Sequence, residues 1–282
     1  MREALFYQKG AENVRCGLCP HACAIKDGEA GFCRVRANRG GTLYALGYGE
    51  ISSLAVDPIE KKPLRHFYPG RVILSAGSYG CNMRCGYCQN SSISQEKPVT
   101  ESISPDQMAA LAQSIPENLG IAFTYNEPLM SAEYLLDTAP LIQDMGLKAV
   151  LVTNGLACRE PLAAVLPFVD AMNIDIKGFT PEFYQKLGGR LETVKETVEQ
   201  CAGMCHVEAT MLVIPGENDS DAEMIALSEW LAGVSRDIPL HLSRFFPGYK
   251  MKEKAATPIE TLRRLAGLAH RHLEHVYLGN VS

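Results

Sequence analysis

The sequence predicts an α/β protein: a partial (β/α)6 barrel of the TIM type, preceded by a cysteine-rich N-terminal extension. Three observations carry that expectation. From residue 71 onward, short apolar runs alternate with longer amphipathic segments. Nearly every apolar run ends in polar or turn-forming residues. The first 70 residues break this rhythm and hold four of the ten cysteines between Cys16 and Cys33.

Bulk properties narrow the class. With 282 residues, 46% hydrophobic and 21% charged, the chain can bury a core without disulfide help. A net charge of −5 excludes nucleic-acid binding that rests on overall basicity. No run approaches the roughly 18 apolar residues of a membrane helix. The N-terminus, MREALFYQKGAENVRC, lacks the apolar stretch of a secretory signal, so a cytoplasmic location is expected. In that setting ten cysteines point to metal or redox chemistry rather than disulfides.

The elements follow in order. Residues 1–40, rich in Cys, Gly, Arg and Asn, have no sustained period and read as a loop-rich module. The alternation in TLYALGYGEISSLAVDP predicts a small hairpin, after which Pro58, Pro63 and Pro69 interrupt the pattern. Residues 1–70 are therefore expected as one module and 71–282 as the barrel. Strands are expected at 71–77, 120–125, 148–154, 171–177, 206–214 and 239–246. Helices are expected near 105–115, 129–145, 159–166, 192–204, 219–235 and 258–273. Repeated β-then-α units imply parallel strands with right-handed crossovers, and six strands are too few to close an eight-stranded barrel. Asn126–Glu127, Thr153–Asn154–Gly155, Asp175 with Lys177, Pro215–Gly216 and Arg244 all fall at strand C-termini, the face where such barrels build their sites. Turn chemistry alone explains Asn154–Gly155 and Pro215–Gly216 equally well.

The most specific motif is CNMRCGYCQN, which places Cys81, Cys85 and Cys88 directly after the first strand. Three thiolates can wrap three corners of a cubic [4Fe–4S] cluster and leave one iron open for a ligand. The alternative is a structural zinc loop whose fourth ligand comes from elsewhere.

With this loop, in this context, the chain resembles the radical S-adenosylmethionine (radical SAM) superfamily over about residues 71–246. The resemblance implies that the open iron chelates SAM, that SAM is cleaved to methionine and a 5′-deoxyadenosyl radical, and that the radical takes hydrogen from a substrate. It also implies a place for Tyr87 beside the adenine. Asn90, Tyr125–Asn126–Glu127–Pro128, Thr153–Asn154–Gly155, Asp175–Ile176–Lys177 and His241 resemble the branch that includes pyruvate formate-lyase activating enzyme. In that branch the segment matching 125–128 carries Gly-Gly-Glu. Here only Glu127 is kept, as acceptor for the SAM ammonium, with Asn126 offering a side-chain contact. Lys177 is implied as partner of the SAM carboxylate, Asp175 as its orienter, and Thr153 and Asn154 as further SAM contacts. A reductant such as flavodoxin or ferredoxin is implied as partner.

The N-terminal string CGLCPHACAIKDGEAGFC spaces Cys16, Cys19, Cys23 and Cys33 as the ligands of a closed site, either zinc or a second Fe–S cluster. Unliganded reduced thiols are the bland alternative. Together with AVDPIEKKPLRHFYPG and the three-cysteine loop, this string is similar to the AmmeMemoRadiSam-system radical SAM enzymes, a resemblance covering nearly the whole chain. Members compared with it often continue past LGNV into a further segment with cysteines, which leaves open whether such an element is absent or trimmed here. Cys201 and Cys205, spaced i and i+4 on a helix, read as core residues, whereas Cys158 lies near the expected mouth.

Three functions compete: hydrogen abstraction from a protein glycine, radical modification of a small molecule, and electron carriage by an Fe–S protein. Glu127, Thr153–Asn154–Gly155 and Asp175–Lys177 argue against the third, because an electron carrier needs no SAM pocket, and a radical SAM enzyme is expected.

Overall fold

The apolar runs form seven parallel strands in one sheet, whose order is unbroken along the chain: Val72–Gly77, Asn118–Phe123, Lys148–Thr153, Ala171–Asp175, His206–Val213, Leu240–Arg244 and Val276–Gly279. They are referred to below as the first to seventh strands. The structure, a computed structural model, describes residues 1–281. Strands such as Lys148–Thr153 are apolar along both faces because helices cover the outside of the sheet. The helices Pro105–Ser114, Ala132–Asp144, Arg159–Val165, Leu191–Ala202, Asp221–Val234 and Ile259–Ala269 lie close to their expected places. Ser104 starts the first of these with a reciprocal capping box to Gln107. No helix among the described residues is long and apolar enough to cross a membrane.

Three features differ from the sequence expectation. The stretch expected as one hairpin divides among three different sheets. Thr42–Ala45 pairs with Arg36–Arg39, Glu50–Ile51 pairs with Glu101–Ser102, and Ser53–Pro58 runs antiparallel to the first strand as the edge of the barrel sheet. Alternation reports a half-buried strand but not its partner, and Gly49, at φ +70°, turns the chain between these segments. The barrel sheet thus begins at residue 53 rather than 71. The seventh strand, only four half-buried residues, is too short to show a period. A helix at Pro181–Lys186, capped by Thr180, also escaped notice.

The N-terminal module consists of two small three-stranded sheets. One buried ion pair ties it to the barrel. Arg36 Nη2 is 2.9 Å from Glu133 Oε1, both residues are fully enclosed, and Leu5 supplies a further amide and carbonyl to the pair.

The segment after the edge strand closes the N-terminal end of the barrel. Ile59, Leu64 and Phe67 pack against Ile73, Leu119, Val150 and Ala171 near the strand starts. Glu208, fully buried on the fifth strand, fastens this plug. It accepts the backbone amides of Arg65 at 3.0 Å and His66 at 2.7 Å. It also accepts His206 Nε2 at 3.0 Å and His241 Nε2 at 2.6 Å. His241, implied by resemblance as a SAM contact, is therefore committed to this carboxylate and lies outside the cleft described below.

Burial raises the Glu208 pKa, but the two histidines and two amides outweigh it and hold the carboxyl down at about 2, against an ordinary 4.5. A depressed carboxylate stabilises the fold above its unfolded pKa and loses that contribution as pH falls through the folded one. Stability should therefore decline as the pH drops from about 4.5 toward about 2, by on the order of 3 kcal/mol from this group. Chemical denaturation across that range measures it. Glu208→Gln should flatten this part of the profile, and an unaltered slope would contradict the assignment.

Candidate active site

The C-terminal strand ends and the loop 81–90 surround a cleft with about 1030 Å³ of empty space. Cys81, Cys85, Tyr87, Cys88, Asn126, Glu127, Thr153, Asn154, Asp175 and Lys177 all line it. These sequence-predicted residues come from one loop and three successive strand ends, which meet on this single face because the strands are parallel.

The cysteine loop is held in shape by its neighbours. Gly80, at φ +81°, makes the turn into it; a Cβ there would meet Val35 at 2.6 Å. Asn82 is buried and donates to the Leu156 carbonyl at 2.7 Å. Arg84 donates to the Cys81 carbonyl at 2.9 Å and the Met83 carbonyl at 3.1 Å, so the loop wraps its guanidinium. Cys81 Sγ faces the Met83 amide at 3.4 Å and Asn154 Nδ2 at 3.6 Å.

The thiols stand around a space rather than converging on a point. Among the described residues no three His, Cys, Asp or Glu side chains are placed to hold one metal ion. A zinc ion with bonds of about 2.3 Å would draw its sulfurs close together, whereas a cubic cluster keeps them apart. The donor set suits the cluster.

Charge in the cleft is paired. Burial opposes the Lys177 ammonium, but Asp175 at 2.7 Å and the nearby Cys85 and Cys88 overcome it and raise its pKa. Burial pushes the Cys81 and Cys85 thiols up, and Lys177 counteracts it in part. Glu127 is enclosed and accepts Thr153 Oγ1 at 2.7 Å, the Asn154 amide at 2.8 Å and the Leu129 amide at 3.0 Å. Burial nevertheless lifts its pKa to about 7. With roughly four acceptor positions, a carboxylate with three bonds retains one.

Two fully buried cleft hydroxyls among the described residues lack partners: Tyr87 Oη, beside the Cys85 sulfur but out of hydrogen-bond geometry, and Thr210 Oγ1. Buried polar groups are rarely left so, and a polar ligand in the cleft would satisfy them. Thr210 escaped the sequence reading. Its signal was alternation along the fifth strand, which turns it to the same face as Glu208. Ser243 and Asn280 line the rim from the sixth and seventh strand ends and were also missed.

Other expectations shift in role. Asn126 spends its amide on the approach to the cysteine loop, donating to the Tyr79 and Gly80 carbonyls at 3.0 Å each and accepting the Ser78 amide at 3.1 Å. Arg244 donates to Thr257 and Pro215 accepts Lys254, so neither lines the cleft. Cys158 stands just before a helix, without a capping bond from its side chain, and donates its amide to the Leu18 carbonyl, on the side of the N-terminal module. Cys16, Cys19, Cys23 and Cys33 line a second, smaller cavity.

Comparison with known proteins gives several likenesses. The profile described as Radical SAM superfamily matches residues 76–228. An uncharacterized protein of Methanocaldococcus jannaschii is 45% identical over all of this chain and 86% of its own length. A 7-carboxy-7-deazaguanine synthase of Geobacter sulfurreducens is 27% identical over 58% of this chain and 70% of its own. A GTP 3′,8-cyclase of Corynebacterium glutamicum is 28% identical over 53% of this chain and 43% of its own. Among solved structures, a domain of pyruvate-formate lyase-activating enzyme from Bacteroides vulgatus aligns at TM-score 0.51 and 19% identity, over 57% of this chain and 99% of that one. A radical SAM methyltransferase from Sphaerobacter thermophilus aligns at 0.57 and 16%, over 75% and 67%. These last two likenesses concern the fold.

The Asn126 geometry yields a test. If its amide serves the loop, Asn126→Ala should lower stability by about 1–2 kcal/mol in urea denaturation without any ligand present. Unchanged stability would return the side chain to a role in ligand contact.

Proposed function

Because the chain belongs to the radical SAM superfamily, whose chemistry is radical cleavage of S-adenosylmethionine, we propose that Cys81, Cys85 and Cys88 hold its [4Fe–4S] cluster and that the adjoining polar groups hold SAM. The observation that carries this reading is the convergence of three thiols, a free acceptor position on Glu127 and the charged Lys177 on one cleft. When bound, the cluster supplies the electron that cleaves SAM to methionine and a 5′-deoxyadenosyl radical.

The chain's own residues then divide the work. Glu127 accepts the SAM ammonium through its remaining lone pair. Lys177, kept protonated and aimed by Asp175, meets the carboxylate. Thr153 and Asn154, fixed by Glu127, border the methionine and ribose, and Tyr87 borders the adenine. Asn126 positions the loop from behind. An external flavodoxin or ferredoxin provides the electron, and Cys16, Cys19, Cys23 and Cys33 form a second, separate metal or cluster site.

The substrate reading rests on the motif resemblance to glycyl-radical activating enzymes: hydrogen is taken from a protein glycine. A second reading, action on a small molecule, is favoured by the names of the relatives that match 53% and 58% of this chain, a GTP cyclase and a deazaguanine synthase. Anaerobic reconstitution with candidate substrates separates them, through a glycyl-radical signal on a protein or a modified small molecule.

Two variants test the site. Cys85→Ala should abolish 5′-deoxyadenosine formation while circular dichroism stays unchanged; retained cleavage would rule the loop out as the cluster site. Glu127→Ala should weaken SAM binding to the cluster-loaded protein roughly ten- to a hundredfold, the equivalent of about 1.5–3 kcal/mol, with binding normalised to the iron present. Equilibrium dialysis against labelled SAM reads the first quantity and iron analysis the second.

A further inference from the structure

Deepening the reading of a second site, we infer that Cys16, Cys19, Cys23 and Cys33 hold an iron–sulfur cluster rather than zinc, seated against the three-cysteine loop as a second one-electron centre. The four thiols border one small cavity, lined otherwise by Arg36 and by apolar groups such as Leu18, Ile25 and Met130. No three of them are gathered for one ion. A structural zinc would draw its sulfurs together around a single centre.

The polar groups at this cavity favour an anionic, sulfur-rich occupant. Arg36 lines it, is 1% exposed, and lies near enough to Cys16 and Cys33 for their charges to act on it. Its Nη atoms are engaged with Glu133 and Leu5, but Nε is buried without a partner. A cluster with bridging sulfides would give that N–H an acceptor. Backbone amides already approach the thiols: the Phe32 amide is 3.5 Å from Cys23 Sγ, and the His21 and Val35 amides serve Cys19 and Cys33. N–H groups on cluster sulfurs are a means by which a protein sets reduction potential.

The module meets the loop directly. His21 Nε2 stands 2.8 Å from the Asn82 carbonyl. Arg84 lies 4.0 Å over the Phe32 ring and donates to the Phe32 carbonyl. A Cβ on Gly80 would come within 2.8 Å of the Cys33 carbonyl. These contacts fall next to the ligands in sequence: Asn82 follows Cys81, Arg84 precedes Cys85, Phe32 precedes Cys33, and His21 lies midway between Cys19 and Cys23. The redox step is simple. A low-potential donor of the flavodoxin or ferredoxin class loses one electron and the cluster gains it, with no bond made or broken.

The test removes the first site. A Cys81→Ser/Cys85→Ser/Cys88→Ser protein, purified without oxygen, should retain iron and acid-labile sulfide in near-equal amounts. Reduction with flavodoxin hydroquinone should then give a paramagnetic cluster signal. Adding Cys19→Ser and Cys33→Ser should remove both. Zinc without iron, no metal, iron that survives the added substitutions, or a cluster that flavodoxin cannot reduce would each overturn the inference. Should the triple variant not fold, the unaltered holoprotein decides. Two cluster signals, only one of them perturbed by SAM, support the second centre; a single signal refutes it. Because the triple variant lacks the first site, failure of the SAM reading leaves this result standing.

Discussion

Glu127 joins strand ends that would otherwise diverge. Its carboxylate bonds Thr153 and the Asn154 amide, which locks the turn after the third strand to the end of the second. Asn154 then reaches Asn82 at 3.0 Å, and the Asn82 carbonyl meets His21 at 2.8 Å. A continuous polar chain thus runs from the barrel through the cysteine loop into the N-terminal module. Such networks rigidify when every member is satisfied, and a buried member deprived of its partner costs more than the bond was worth. The raised Glu127 pKa is the cost of placing that anchor where water cannot reach it.

The charges of the cleft follow from the same enclosure. A lone buried ammonium would be driven to lose its proton, so Lys177 depends on Asp175 and on the sulfurs facing it. The sulfurs in turn need a nearby cation to exist as thiolates. Lysine, acid and thiols are mutually supporting, and the site is built as one electrostatic unit rather than as separate ligand contacts. The backbone beneath is equally constrained. Tyr125, at φ +71°, sends its hydroxyl to Asp57 at 2.9 Å, and the buried Lys62 bonds the same carboxylate at 2.8 Å.

Much of this was legible in the sequence. Long apolar runs bounded by polar residues located six strands, since a strand covered on both faces must be apolar throughout. The cysteine loop, Glu127, Thr153–Asn154 and Asp175–Lys177 were legible because parallel strands bring their C-terminal ends together. What stayed hidden was pairing and commitment. Ser53–Pro58 alternates as any half-buried strand does, and nothing local reveals that its partner is the first barrel strand. Asn126 and His241 carry ligand-like side chains, but their hydrogen bonds are spent on Ser78–Gly80 and Glu208, partners distant in sequence. Thr210 is an ordinary strand residue until its unpartnered hydroxyl is seen in the cleft.

The plug at the strand starts has a kinetic consequence. With Ile59, Leu64 and Phe67 filling the far end and Glu208 fastening them, the cleft is closed at the strand starts and opens toward the loop and the strand C-termini. Whatever enters shares that doorway. A molecule seated at the floor leaves only after anything bound nearer the rim has moved, and the same outer molecule shields it from solvent.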